Sequence, residues 1–394
     1  MNGLNLPDQF LSRRGDVEPF HAMDVLARAT ELQSAGADVA FLCVGQPSAS
    51  APSSALNAAQ EYLKTGVVSY TDAGGRADIK GRLARHYREH YRVDIAPERI
   101  FITTGSSAGF NLAFLACFEA GERVAIAAPG YPAYRNILKA LSLEVVEIET
   151  SADSRWCVTP EQVQKAHDNG KLSGILIASP ANPSGTMMTP QALNELIAKC
   201  TELGIRFISD EIYHDLIYPD QSGIEQATAL QYSDETIVIN SFSKFFCMTG
   251  WRVGWMVLPE KMVRPIERLG QSLYISAPEL SQIAAMHALD GRDEMEQVRL
   301  GYAQNRALLM DRLPKLGFDN ILPIDGAFYA YADASRHSND TMQFSKRMLE
   351  EAKVAVTPGL DFDLERGGRF IRLSFAGKQE MIAEALDRLE NWLR

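Results

Sequence analysis

The sequence predicts an α/β protein: a large domain with a mostly parallel seven-stranded sheet wrapped by helices, plus a smaller α+β domain. Three observations point to it. Seven short runs rich in β-branched residues lie between Arg99 and Leu258. Several of them are apolar nearly throughout, as strands covered on both faces are. Helical patterns separate many of the runs, the rhythm of a parallel sheet.

In chain order, FHAMDVLARATELQSAG (20–36) has the apolar spacing of a helix and fits best with the small domain. The first strand is Arg99–Thr104, and the helix SAGFNLAFLACFEAG follows it, ending at Gly121. Strands Glu122–Ala127, Leu143–Ile148 and Gly174–Ser179 come next. Thr189 is placed to cap a helix whose first residue is Pro190 and whose C-cap is Gly204. The remaining strands are Ile205–Asp210, Glu235–Asn240 and Val253–Leu258. Beyond them the pattern changes. A long helix (EMEQVRLGYAQNRALLMDRL) precedes strand-like GAFYAYAD, VAVTPG and RFIRLSFA, and QEMIAEALDRLENWLR closes the chain as an amphipathic helix. The expected division is an N-terminal arm with part of the small domain at 1–44, the large domain at 45–284 and the small domain at 285–394. A ligand site belongs at the carboxyl ends of the parallel strands, near the junction.

Composition narrows the function. The 394 residues carry 39 Lys and Arg against 50 Asp and Glu, a net charge of −11. That surface disfavours nucleic acid and anionic membranes as partners, while leaving room for a local basic pocket. No apolar run reaches the roughly 20 residues of a membrane-spanning helix, and the opening MNGLNLPDQFLSRRGD has no signal-peptide core. The five cysteines are scattered and form no C-x-x-C. A reducing, cytoplasmic compartment is expected, with no metal site.

Three short motifs compete for attention. Gly105-Ser106-Ser107-Ala108-Gly109 matches G-x-S-x-G between a strand and a helix, the context of a serine-hydrolase nucleophile at Ser107. No HGGG-like segment precedes it, and His167, His214, His287 and His337 offer no clear triad partner. The other reading is a turn that binds an anion at a helix N-terminus. Ser241-Phe242-Ser243-Lys244 matches S-x-x-K, but the K-T-G-like Lys64-Thr65-Gly66 lies on the wrong side of it. His86 and His90 have metal-ligand spacing on a basic helix, but no third ligand is evident, so that face is expected to be solvated.

Four segments carry the chemistry together. They are Ser179-Pro180-Ala181-Asn182-Pro183-Ser184-Gly185-Thr186, Ser209-Asp210-Glu211-Ile212-Tyr213, Ser241-Phe242-Ser243-Lys244 and Gly250-Trp251-Arg252-Val253-Gly254. Three fall at or just past strand ends. In their order and spacing the chain resembles the class I/II aminotransferases of the aspartate aminotransferase superfamily, the pyridoxal 5′-phosphate (PLP) enzymes of fold type I. The resemblance runs from Gly45-Gln46-Pro47 to Arg372. The lysine segment with its arginine eight residues on is its most specific part.

The resemblance implies a role for each residue. Lys244 holds the PLP aldehyde as a Schiff base and shuttles the catalytic proton. A free lysine has a pKa of about 10.4, so it needs a partly dry, cationic site to act as a base. Asp210 keeps the pyridine nitrogen protonated, and a carboxylate closing a buried strand needs such a partner. The other use of Asp210 is as a helix N-cap. Asn182 and Tyr213 hydrogen-bond the ring oxygen, and a cis bond before Pro180 or Pro183 is open. Gly105, Ser106, Ser107, Ser241 and Arg252 hold the phosphate, with Ser243 beside them. Tyr131 stacks on the ring. Arg372, an arginine inside an apolar strand pattern, grips the substrate α-carboxylate, helped by the Gly45 backbone. Tyr70 reaches the phosphate of the neighbouring subunit of a homodimer. The chain departs from the family pattern at Phe246 and Cys247, which bears on packing behind the lysine.

The reaction implied is transfer of the amino group of an L-amino acid to a 2-oxo acid with ping-pong kinetics. Ser106 and Ser107 stand where some aspartate enzymes carry a lysine, and GQSLYISAP has no arginine. A neutral or broad donor set follows, with 2-oxoglutarate or pyruvate as acceptor. A PLP-dependent carbon–sulfur β-lyase shares the same residues. A regulator built on this fold would need a DNA-binding segment, and the stretch before Gly45 shows no helix-turn-helix.

Overall fold

The computed structural model describes residues 12–64, 66–218 and 223–394. Most of the opening segment and Thr65 of the K-T-G-like triplet therefore lie outside the described residues.

Strand β1 (Ala40–Phe41) follows helix α1 (His21–Ser34). The large sheet contains β2 (Ile100–Thr103), β3 (Arg123–Ala128), β4 (Glu144–Glu149), β5 (Gly174–Ala178), β6 (Arg206–Asp210), β7 (Ile237–Ser241) and β8 (Gly254–Val257). Their order is β2-β8-β7-β6-β5-β3-β4. Pairings from β4 across to β7 are parallel, and β8 runs antiparallel to both its neighbours. The seven expected strands are all present, within one or two residues at their ends.

Their near-continuous apolar character has a direct cause. Successive side chains enter two different cores, one on each face of the sheet. Ile175 and Ile177 of β5 pack on one side and Leu176 on the other. Val238 faces the first core, while Ile237 and Ile239 face the second. The helix Pro190–Glu202 starts as expected: the Thr189 hydroxyl accepts the Ala192 N–H at 3.1 Å. Gly204, just past its end, takes the φ of +68° that a side chain would disfavour. Helix α2 (Ser106–Cys117) begins directly after Gly105 and ends short of the expected Gly121.

The second unit holds the long helix Arg292–Lys315 and a three-stranded antiparallel sheet. That sheet has the order β11-β12-β9, where β9 is Tyr329–Asp333, β11 Thr357–Pro358 and β12 Phe370–Ser374. Strand β10 (Val354–Ala355) pairs with β1 in parallel. Helix α1 packs beside them, through Ala29 with Leu349 and Ala355. Its first turn is capped from a distance, since Asp361 accepts the His21 and Ala22 N–H groups at 2.9 and 2.8 Å. Among the described residues no helix is long and apolar enough to cross a membrane.

One expectation is corrected. The face carrying His86 and His90 is not wholly solvated: His86 is 6% exposed and packs against Tyr87 and Tyr91. Burial drives its pKa down to about 3. Aromatic packing, which helical charge spacing does not reveal, claims that side.

Candidate active site

The topology gathers the site at one edge of the large sheet. Strands β2, β3, β5, β6 and β7 all deliver their carboxyl ends there, and antiparallel β8 starts there. So Gly105, Tyr131, Asn182, Asp210 and Lys244 follow or end their strands at one rim, with Arg252 just before β8. Arg372 on β12 approaches from the second unit. Between them lies a cavity of about 290 Å³, lined by Gly45, Ser106, Ser107, Tyr131, Asn182, Tyr213, Ser243, Lys244, Arg252 and Arg372 among others.

The cavity's floor suits an anion. Ser106 and Ser107 open helix α2, whose first N–H groups have no intrahelical acceptor. Gly105 has φ +75°, and a Cβ there would stand 2.3 Å from Arg252 Nη2. No side chain fits between that turn and the guanidinium. The Ser243 hydroxyl lines the cavity, and Ser241 sits behind it. The Ser241 hydroxyl is within 2.9 Å of Ser243 Oγ and 3.2 Å of the Val253 carbonyl. Ser241 thus supports Ser243 rather than facing the cavity.

Lys244 Nζ donates to the Gly45 carbonyl at 2.8 Å. Burial, then Arg372 and Arg252, lower its pKa to about 8. Asp210 is 1% exposed. Its Oδ1 accepts the Ile212 N–H at 3.1 Å and its Oδ2 accepts the Tyr134 hydroxyl. Burial raises it to about 7, with Lys244 opposing that only weakly, and among the described residues no cation pairs with it. Tyr131 stands edge-on to Tyr134 with ring centroids 5.3 Å apart. The bonds before both Pro180 and Pro183 are cis, and so is the one before Pro129.

Arg372 is the most elaborately held group. Its guanidinium carbon lies 4.4 Å from the Tyr329 ring centroid and 4.7 Å from that of Phe362. Its Nη atoms donate to Asn182 Oδ1 (3.0 Å), the Cys43 carbonyl (2.7 Å) and Thr357 Oγ1 (3.2 Å). Among the described residues its buried Nε has no hydrogen-bond partner. Gly45 is required by Tyr329, whose hydroxyl would sit 1.7 Å from a Cβ there.

Several lining residues escaped the sequence reading. Tyr134 and Tyr329 lie in runs that look like ordinary core. Phe20, Met23 and Ile137 also line the cavity. Met23 is 52% exposed there, an apolar side chain left in the open at a cavity mouth. In the sequence the start of α1 reads only as a helix of the small domain and gives no signal of this wall.

Other expected residues stand apart. Tyr70 is 80% exposed and outside the cavity. Its segment is tied down by Ser69 N–H to Glu279 (2.6 Å) and Thr71 N–H to Ser276 Oγ (3.3 Å). Cys247 is buried at φ +55°, its N–H donating to the Lys244 carbonyl at 3.2 Å. Burial pushes its thiol up to about 11. Among the described residues no histidine lines the cavity, so Ser107 has no imidazole base beside it.

Comparison with known proteins agrees with this geometry. The family described as aminotransferase class I and II matches residues 37–389. The valine–pyruvate aminotransferase of Mycobacterium tuberculosis is 44% identical over 382 residues, covering 96% of this chain and 97% of that protein. The aspartate aminotransferase of Thermotoga maritima is 32% identical, covering 97% and 99%. A crystal structure of an aminotransferase from Mycobacterium tuberculosis superposes with a TM-score of 0.94 at 43% identity, over 97% of this chain and 98% of that one.

Proposed function

The chain belongs to the class I and II aminotransferases, and on that premise we propose that its cavity holds PLP at Lys244 and moves the amino group of a neutral L-amino acid to a 2-oxo acid. Amino-group transfer is the activity of the family, and the family is PLP-dependent. The β-lyase reading is not favoured beside relatives named as aminotransferases.

One observation carries the proposal: three unsatisfied demands meet in one cavity. Asp210 is a buried carboxyl that forms no ion pair among the described residues and feels Lys244 only as its weakest influence. Arg372 keeps a buried Nε with no acceptor among the described residues. The Gly105 turn and Arg252 leave a gap that a Cβ would fill. A pyridinium nitrogen, an α-carboxylate and a phosphate are the complementary groups, so the residues fit PLP and an amino acid together. When bound, PLP supplies an aldehyde to take the amino group and a ring to accept electrons.

The chain's own groups then have definite tasks. Ser106, Ser107, Ser243 and Arg252 hold the phosphate, with Ser241 behind. Asp210 stays ionised against the ring nitrogen. Asn182 and Tyr213 face the ring oxygen, and Tyr131 covers the ring. Arg372 and Gly45 fix the α-carboxylate, which orients the Cα–H bond. Lys244 Nζ, partly deprotonated near neutral pH, takes the Cα proton and returns it one position away.

The donor class follows from the wall. Among the described residues lining the cavity, the cations are Lys244, Arg252 and Arg372, each already committed. Phe20, Met23 and Ile137 leave an apolar surface for the substrate side chain. This supports a neutral aliphatic or aromatic donor with pyruvate or 2-oxoglutarate as acceptor, and the valine–pyruvate relative is in keeping with it.

The assembly we propose is a homodimer. Val67, Val68, Tyr70, Leu273 and Ile275 leave large apolar side chains exposed around the Tyr70 segment, which would carry Tyr70 to the partner's phosphate. The 45–284 and 285–394 division and a cytoplasmic residence belong to the same proposal. The cysteines are all free thiols, in keeping with a reducing compartment.

The test is the visible spectrum of the PLP-loaded protein, titrated with single amino acids beside Lys244→Ala. The protein is expected to be yellow, to bleach with neutral donors and to recover with pyruvate. A protein that stays colourless with added PLP would refute the proposal.

A further inference from the structure

Tyr329 has no role assigned above, yet it touches three residues that do. Its ring carries the Arg372 guanidinium at 4.4 Å. Its hydroxyl closes over Gly45, which has no side chain for that reason. The same hydroxyl lies 2.8 Å from the hydroxyl of Tyr213. It is 1% exposed, and among the described residues it has no second hydrogen-bond partner.

Burial holds both phenols above their ordinary range, so each keeps its proton at neutral pH. Two neutral hydroxyls in one hydrogen bond share it unequally: one donates and the other keeps its proton free. If Tyr213 donated to Tyr329, its one proton would be spent on that hydroxyl and would not be available to a ligand. If Tyr329 donates, the Tyr213 proton is left to face the cavity beside Lys244.

We propose that Tyr329 is a positioning residue, which donates to Tyr213 and so directs the Tyr213 proton at the cofactor's ring oxygen, while its ring backs the carboxylate-binding Arg372. The inference rests on the reading that Tyr213 donates to that oxygen. One side chain then sets two separate functions, and they come apart by substitution. Tyr329→Phe removes the donor and keeps the ring. Tyr329→Leu removes both.

The test uses the PLP-loaded full chain. A donor on the ring oxygen favours the form in which that oxygen is more negative. Its loss therefore moves the midpoint of the pH-dependent visible absorbance upward. Tyr213→Phe is expected to raise the midpoint by about one pH unit, and Tyr329→Phe by roughly half that, in the same direction. Binding of the non-reacting carboxylate 3-methylbutanoate, measured by calorimetry, is expected to stay within about twofold for Tyr329→Phe and to weaken at least ~10-fold for Tyr329→Leu. An unmoved midpoint in Tyr329→Phe, with a moved one in Tyr213→Phe, overturns the inference and leaves the function intact. An unmoved midpoint in both removes the role of Tyr213 and the inference with it. Equal loss of carboxylate binding in both Tyr329 variants overturns the backing role.

Discussion

Tyr134 donates its hydroxyl to Asp210 Oδ2, so the carboxyl group that ends β6 is held by a neutral donor on one oxygen and a backbone N–H on the other. The two residues are 76 positions apart in sequence and meet because β3 and β6 end at the same rim. Neutral donors orient a carboxyl group without balancing its charge, which leaves that task to a ligand.

A stability prediction follows from this pair. Burial raises Asp210 from 3.8 to about 7 in the folded chain. Between those values the unfolded chain has lost a proton that the folded chain still binds. The group therefore subtracts stability as pH rises from 3.8 toward 7, and its full cost persists above. Cofactor-free Asp210→Asn is expected to melt at or above the wild type at pH 8, and the two should converge toward pH 4. Added PLP should raise the melting temperature of the wild type more than that of the variant. A melting difference that is the same at every pH would show that ionisation of Asp210 is not its source.

Lys244 has the opposite displacement. With its pKa lowered from 10.5 to about 8, the amine is partly free at neutral pH. The free amine is the form that reacts with an aldehyde. The rate at which visible absorbance develops on adding PLP to the cofactor-free protein should rise with pH and level off just above 8. Lys244→Ala should show no such phase. A rate still climbing steeply at pH 10 would mean that Arg372, Arg252 and burial do not depress the amine.

The Gly105 turn is the strictest steric element. Gly105→Ala meets two objections at once, a φ of +75° and a contact of 2.3 Å with Arg252 Nη2. Arg252 or the turn must move, and either change spoils the anion cradle. The dissociation constant of PLP, followed by absorbance, is expected to rise at least ~10-fold, the effect of roughly 1.4 kcal/mol. The strained φ should also lower the stability of the cofactor-free protein, by roughly 1–3 kcal/mol, so PLP affinity is read well below its melting temperature. Unaltered PLP affinity would show that the cradle lies elsewhere.

Much of this was legible in the sequence, for identifiable reasons. The seven strands announce themselves because both faces of each are buried, as Ile175, Leu176 and Ile177 illustrate. Arg372 stands out because a guanidinium in an apolar run demands an explanation. Tyr134 and Tyr329 do not stand out, since a tyrosine in an apolar run looks like any core aromatic. Their function lies in where the hydroxyl ends up, and that depends on strands far away in sequence. His86 misled for the same reason, because its aromatic neighbours on the helix take it inward.

The apolar wall is the part with the sharpest consequence for substrate choice. Phe20 and Met23 flank the start of α1, and their place over the cavity is fixed by Asp361, which accepts the His21 and Ala22 N–H groups. Phe20 is further seated against Tyr131, with ring centroids 6.0 Å apart. A substrate side chain gains from burial against this wall in proportion to its apolar area, which is smallest for the methyl group of alanine. Shortening the wall should therefore cost large donors and spare small ones. Met23→Ala and Phe20→Ala are each expected to lower kcat/KM for leucine about 10-fold, in line with the 1–3 kcal/mol discrimination of apolar pockets. For alanine the change should stay within about twofold. Asp361→Asn keeps one of the two acceptors, turns the other into an NH2 that faces an N–H, and weakens the charge toward the helix N-terminus, so it should loosen the cap and give a loss of the same kind. The measurement is kcat/KM for alanine, valine, leucine and aspartate in each variant. Equal losses for alanine and leucine would assign the segment to closure of the site rather than to side-chain selection. A wild type that uses aspartate far better than leucine would remove the apolar wall from substrate choice altogether.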